Sequence, residues 1–280
     1  MKKIRLACLG TGNMGSALIK GLVRSKMLAP SQLVAADPVN EKLEELFRES
    51  RVKTTRSNLD AVRGANVVVL AVKPQILDKV LTEIRDTVAE KALILSVAAG
   101  FPTALIEEIL GGKPHVVRAM PNIAAIVGKA ATAICLGAHV SRAQVKLAQK
   151  LFESCGTVVE VDEGLMDAVT GLSGSGPMYV FIIIEALSDA GVRVGLSRKI
   201  ATQLAVQTVL GSAQMVQETG QHPIFLKDMV TSPGGTAINA LYSMEKTGLR
   251  AVLMDAVAVA TRRSQELGRP FERKNGESAS

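Results

Sequence analysis

The residues with the clearest capacity for chemistry are Gly10-Thr11-Gly12-Asn13-Met14-Gly15, set between an apolar run ending at Leu9 and a stretch of helical spacing. A glycine turn joining a buried strand to a helix aims backbone N–H groups and the positive end of the helix dipole at one point, which suits a pyrophosphate. Gly10 permits the tight turn, Gly12 lets the backbone approach the pyrophosphate, and Gly15 allows close helix–strand packing. Asp37 lies 22 positions beyond Gly15, at the end of the next apolar run. A carboxylate there accepts hydrogen bonds from the adenosine ribose hydroxyls and repels a 2′-phosphate. Arg51, Lys53 and Arg56 follow and offset that repulsion, and Asp37 also suits a plain turn before Pro38. Lys73-Pro74 closes a β-branched run. Pro74 fits the first turn of a helix, while Lys73 reads either as a cofactor or carboxylate contact or as a solvated loop lysine. Thr170-Gly171-Leu172-Ser173-Gly174-Ser175-Gly176-Pro177 and Thr231-Ser232-Pro233-Gly234-Gly235-Thr236-Ala237 are two further turns that open helices. Each offers backbone N–H groups to an anion, or serves simply as a helix cap. Cys8, Cys135 and Cys155 share no metal or redox spacing, and so small and odd a set fits a reducing compartment.

These residues need a scaffold to position them. A chain of 280 residues predicts about two domains. At 48% apolar and 21% charged it is no disordered chain. An aromatic content of 3%, without Trp, argues against base-stacking nucleic-acid modules. The net charge of +7 is scattered rather than striped, which favours a small anionic substrate over nucleic acid. Strands are predicted at Lys3–Leu9, Leu33–Ala36, Asn66–Val72, Ala92–Ala98 and His115–Ala119, with helices at Asn13–Lys26 and Asn40–Glu49 among them. Continuous apolar strands between helices predict an α/β fold with a parallel sheet covered on both sides. Ala131–Leu136 and Thr157–Val161 add two strands around a helix over Arg142–Glu153. Beyond Val161 the strand signals stop. Helices follow at Gly164–Leu172, Pro177–Val192, Arg198–Glu218, Ala237–Lys246 and Leu249–Leu267. Several are apolar on more than one face, which predicts burial against a second subunit. The expected layout is a Rossmann dinucleotide-binding domain over 1–161, an all-α dimerisation and substrate domain over 162–268, and a disordered tail over 269–280. The apolar run Met178–Ile184 is too short for a membrane span of about 20 residues, and the chain reads as cytoplasmic.

With these motifs in order, the chain resembles the pyrroline-5-carboxylate reductase family from about Met1 to Gly268. The specific part is Asp167-Ala168-Val169 running into the turn 170–177, together with Thr231–Thr236. The glycine fingerprint, Ala71-Val72-Lys73-Pro74 and Met120-Pro121-Asn122 keep the family's order and spacing. The resemblance implies a helical domain that interlocks in dimers, often built into decamers. It also implies reduction of 1-pyrroline-5-carboxylate to L-proline with NADPH or NADH, the last step of proline biosynthesis. On matching positions it implies cofactor contacts at Asn58, Val72, Lys73 and Ala99. Substrate contacts are implied at Glu163, Thr236 and Ala237, with Gly234 and Gly235 lining the carboxylate site beside Ser232. The chain departs from the family at Ala237, where many members carry Thr, and at Ile123-Ala124, where many carry Thr-Pro.

Reducing a cyclic imine requires a hydride held over an electrophilic carbon and a protonated nitrogen. His115, His139 and His222 lie in no recognised motif, and such an imine can take its proton from water, so the enzyme works by orientation. Thr170, Thr236 or Glu163 then steadies the developing amine. Two other readings fit less well. A 3-hydroxyacid-type dehydrogenase needs a general base, usually Lys, early in the helical domain, and Pro177–Val192 contains no Lys. A dinucleotide sensor without turnover draws support only from Ala237.

Overall fold

The apolar runs become strands and the amphipathic stretches become helices, in alternation from Leu6 to Met120 and again from Ala130 to Glu160. The computed structural model describes residues 4–272. In order come β1 (Leu6–Leu9), α1 (Asn13–Arg24), β2 (Leu33–Ala36), α2 (Asn40–Ser50), β3 (Lys53–Thr55), α3 (Asn58–Val62), β4 (Val67–Leu70) and α4 (Pro74–Ile84). Then follow β5 (Leu93–Ser96), α5 (Thr103–Leu110), β6 (His115–Met120), β7 (Ala130–Leu136), α6 (Arg142–Glu153) and β8 (Gly156–Glu160). They form one sheet in the order β3-β2-β1-β4-β5-β6-β7-β8. The strands from β3 to β6 are parallel and take the Rossmann order. The sheet is not parallel throughout, as the strand pattern predicted: β6 and β7 pair antiparallel. A parallel crossover needs a dozen or more residues, and Pro121–Lys129, with one short 3₁₀ turn, is too brief. β3 escaped prediction because Lys53-Thr54-Thr55 is a polar edge strand.

Every residue of β1, β4 and β5 is buried, and their side chains alternate between two cores. Cys8, Val69 and Leu95 pack with Leu18, Leu22, Leu151 and Phe152 from α1 and α6. Leu9, Leu70 and Ile94 pack with Leu77, Leu81 and Ile106 from α4 and α5. The sheet is thus covered on both faces, which fixes its carboxyl edge as the place where loops and ligands meet.

The remaining helices are α7 (Met166–Val169), a π turn over Thr170–Gly174, α8 (Gly176–Arg193), α9 (Arg198–Thr219), α10 (Pro223–Met229), α11 (Thr236–Lys246) and α12 (Leu249–Glu272). The chain falls into two compact units, one of residues up to Ser175 together with those from Ala258 onward, the other Gly176–Val257. In the first, Met166 packs on Ala133 and Cys135, and Ser264 of α12 donates to Asp167 Oδ1 at 2.6 Å. Residues 269–272 continue α12 rather than starting a disordered tail. The reason is Phe271, whose ring lies 4.8 Å from that of buried Phe101. The rest of the expected tail lies outside the described residues.

In the unit 176–257, Ser188, Ala201 and Ala205 are the only buried residues. Phe181 is 62% exposed, Leu204 54%, Met229 71% and Tyr242 71%. The helical run Glu163–Arg193 is long and apolar enough, by length and composition, to cross a bilayer. The short-run argument therefore holds for Met178–Ile184 alone and not for the helix that contains it. These faces equally suit a protein partner.

If a second copy covers them, stability is linked to association. The unfolding midpoint should then rise across a hundredfold increase in protein concentration, and a constant midpoint would count against such coupling. Phe181→Asp and Leu204→Asp should each weaken association by about 2 kcal/mol or more, read by sedimentation.

Candidate active site

The fingerprint occupies the carboxyl end of β1. Gly10 N donates to Ala36 O and Ala71 N donates to Leu9 O, both at 2.8 Å, which ties the turn to β2 and β4. Gly10 has φ +97°, and a Cβ there would lie 2.6 Å from Ala71 O. A Cβ on Gly15 would strike Gly10 O. Gly12 is different: its φ is −67° and nothing lies within 4 Å of the place a Cβ would take. No side chain caps α1 at Gly12, so the helix keeps its first N–H groups for a ligand. Beside them Thr11 Oγ1 is buried without a hydrogen-bond partner among the described residues. An open cradle, an uncapped helix start and an orphaned hydroxyl fit a dinucleotide pyrophosphate. A cavity of about 290 Å³ adjoins, lined by Thr11, Gly12, Asn13, Ser16, Lys20 and Lys42 among others.

Asp37 is nearly buried. Its Oδ2 accepts from Thr11 N at 2.9 Å and its Oδ1 from Val39 N at 3.0 Å. The carboxylate therefore braces the glycine turn, and with about four acceptor positions it keeps capacity for a ribose hydroxyl. Val72 and Lys73 lie between β4 and α4, where Lys73 occupies the N-cap and Pro74 the first helical position. Ala99 lies in the turn after β5. Asn58 opens α3, and its Nδ2 donates to Glu83 Oε2 at 2.9 Å. All these residues belong to the first compact unit.

So do Glu163 and Thr170. Thr170 Oγ1 donates to Met166 O at 2.8 Å, and Ser175 N reaches back to Thr170 O at 2.9 Å across the π turn. Asn122 Nδ2 donates to Ser173 O at 3.1 Å, so the Met120-Pro121-Asn122 turn packs on this segment. Residues that motif reading missed are Thr103 and Arg118, both bonded to Glu163. The available signal was a lone Arg between the apolar residues Val116, Val117, Ala119 and Met120 of one strand.

The Ser232–Ala237 turn lies in the other compact unit. Gly234 has φ +70° and Gly235 is the N-cap of α11, without a side-chain cap. Gly235 N donates to Ser232 O at 3.0 Å. Thr236 and Ala237 are the first two helical residues, placed where helix N–H groups lack internal partners. None of the three histidines belongs to either cluster. His115 Nδ1 bonds His139 O at 2.6 Å, and His222 Nδ1 caps α10 by accepting from Ile224 N. Burial, with a smaller push from Asp37, raises the Cys8 thiol to about 12. Burial and then Glu163 raise Cys135 to about 12, and burial also raises Cys155.

This fold and fingerprint define a Rossmann-type nicotinamide-dinucleotide oxidoreductase with an appended helical unit. Residues 5–100 match the family described as NADP oxidoreductase coenzyme F420-dependent, and residues 163–267 match that described as pyrroline-5-carboxylate reductase dimerisation. The chain is 44% identical over 269 residues to a pyrroline-5-carboxylate reductase of Methanosarcina acetivorans, covering 96% of this chain and 100% of that one. The solved pyrroline-5-carboxylate reductase of Coxiella burnetii superposes with a TM-score of 0.90 at 36% identity, over 95% of this chain and 99% of that one. The NADP-bound pyrroline carboxylate reductase of Plasmodium falciparum does so with 0.86 at 34%, over 96% and 99%. The chain belongs to the pyrroline-5-carboxylate reductase family.

Two substitutions separate fold from binding. Gly12→Ala should leave the unfolding midpoint unchanged and weaken NADPH binding about tenfold or more, by filling the cradle. Gly10→Ala should lose stability by about 1–3 kcal/mol as well, because it forces a side chain onto positive φ. The cysteines give a pH prediction. Thiols near 9 when unfolded and near 12 when folded are protonated in both states below pH 9. Stability should therefore be intact up to about pH 9 and fall as pH rises towards 12. Thiol reagents at pH 8 should label the native protein slowly.

Proposed function

We infer that this chain reduces 1-pyrroline-5-carboxylate to L-proline with NADPH or NADH. The observation that carries the reading is the open, uncapped cradle at Gly12, in a chain matched over nearly its whole length by reductases of this name. When bound, the reduced dinucleotide supplies the hydride for the imine carbon. Gly10 to Gly15 hold the pyrophosphate, Asp37 the ribose, and Asn58, Val72, Lys73, Pro74 and Ala99 border the rest of the cofactor. Ser232, Gly234, Gly235, Thr236 and Ala237 hold the substrate carboxylate through backbone N–H groups and hydroxyls. Thr170 gives its proton to Met166 O, so its oxygen is an acceptor for the N–H of the developing amine. Thr236 is the second hydroxyl for that role. Water supplies the proton, and positioning supplies the acceleration.

We further propose that 162–268 acts as the dimerisation and substrate domain. It places the apolar faces of α8 and α9 against a second copy, with decamers as the larger assembly. The enzyme is then cytoplasmic, with neither nucleic acid nor membrane as partner.

The direct test follows loss of reduced nicotinamide absorbance with 1-pyrroline-5-carboxylate, run in parallel with NADPH and NADH. Rapid oxidation is expected, and none with either cofactor would refute the reading. Gly235→Val should raise KM for the imine at least about tenfold while changing KM for cofactor little. Ala237→Thr restores a hydroxyl and should lower KM for the imine by about threefold to tenfold.

A further inference from the structure

The family resemblance implied a substrate contact at Glu163, but its carboxylate is engaged elsewhere. Oε1 accepts from Thr103 N at 2.9 Å and from Arg118 Nη1 at 3.1 Å, and Oε2 accepts from Thr103 Oγ1 at 2.6 Å. Thr103 is the first residue of α5 and Arg118 lies within β6. Arg118 and Thr103 are both buried, and the Arg118 side chain has this carboxylate as its ion-pair partner. A carboxylate at a helix N-terminus meets an orphan N–H and the positive end of the dipole. These bonds hold the start of α5, and with it the turn from Val97 to Pro102 that carries Ala99. The far side of the same turn is held by α12. Gly268 backbone atoms lie 3.4 Å from the position of a Cβ on Gly100, and Phe271 meets Phe101. The two holding segments are themselves joined by Ser264 and Asp167.

We propose that Glu163 is a positioning residue, which with Thr103 and Arg118 presets the turn 97–102 on the cofactor side of the site. The proposal rests on the cofactor reading of Ala99 given above. Binding energy then goes into contacts with cofactor rather than into ordering this turn.

The test is a double-mutant cycle on the full-length enzyme with Thr103→Val and Glu163→Gln. NADPH dissociation constants come from nicotinamide fluorescence, KM from turnover with 1-pyrroline-5-carboxylate, and unfolding midpoints from the same samples. Each single variant should weaken NADPH about tenfold, and the double variant should be no worse than the poorer single. KM for the imine should move by less than about twofold. Thr103→Ser keeps the hydroxyl and should recover the affinity. A raised KM for the imine with unchanged NADPH affinity would make Glu163 a substrate contact and overturn the proposal. So would a lowered midpoint with unchanged NADPH affinity, or fully additive effects. Inactivity of the unaltered enzyme would refute the reductase reading instead, while the NADPH cycle would still decide this one.

Discussion

The helices of 176–257 leave Phe181, Leu204, Met229 and Tyr242 largely in water, and apolar surface on that scale marks an interface. That uncovered surface is the constraint on which the helical unit depends. With three buried residues, two of them alanines, this unit has no core of its own to offset the entropy of ordering its helices. Under the assembly proposed above, a second copy of the chain supplies the missing core. The Ser232–Ala237 turn sits within this unit, so on the proposed reading the substrate half of the chemistry depends on the same association. Assembly and catalysis are then one stability problem.

The cofactor half rests on a different physical basis. The central strands of the sheet are buried on both faces by α1, α6, α4 and α5, and need no partner to form their core. The sheet's carboxyl edge is shaped by backbone geometry and braced by one carboxylate. Gly10 brings the chain against Ala71, Gly12 leaves open space, and Asp37 locks the turn through two backbone amides. A site made of N–H groups and hydroxyls suits a substrate that needs orientation more than proton transfer. The histidines are spent on a strand-end contact and a helix cap, and the cysteines are held protonated by burial.

Arg118 and Glu163 form the nearest approach to a buried ion pair in this frame. Such pairs add little net stability, because desolvation opposes the Coulomb attraction, but removing one partner is costly. The value of this pair lies in geometry. It joins β6, the start of α5 and the segment leading to Thr170, three pieces of chain that strand pairing alone leaves independent.

The sequence determined most of the framework. Period and composition located β1, β2, β4, β5 and the glycine turn, because a strand buried on both faces reads as a continuous apolar run. The fingerprint was legible because Gly10 and Gly15 answer to local backbone geometry. The uncovered helix faces were legible too, as helices apolar all round. Polar β3 gave no periodic signal, the antiparallel β6–β7 pairing followed from a short connection, and Phe271 extended α12 because Phe101 waited for it. Only the tertiary structure decided which groups Glu163 bonds. Its partners Thr103 and Arg118 lie 60 and 45 residues away, and nothing local records a contact made by chain segments that meet only when the sheet has formed. Local rules act through neighbours along the chain, whereas a carboxylate's role is set by whichever donors the fold brings within hydrogen-bond reach.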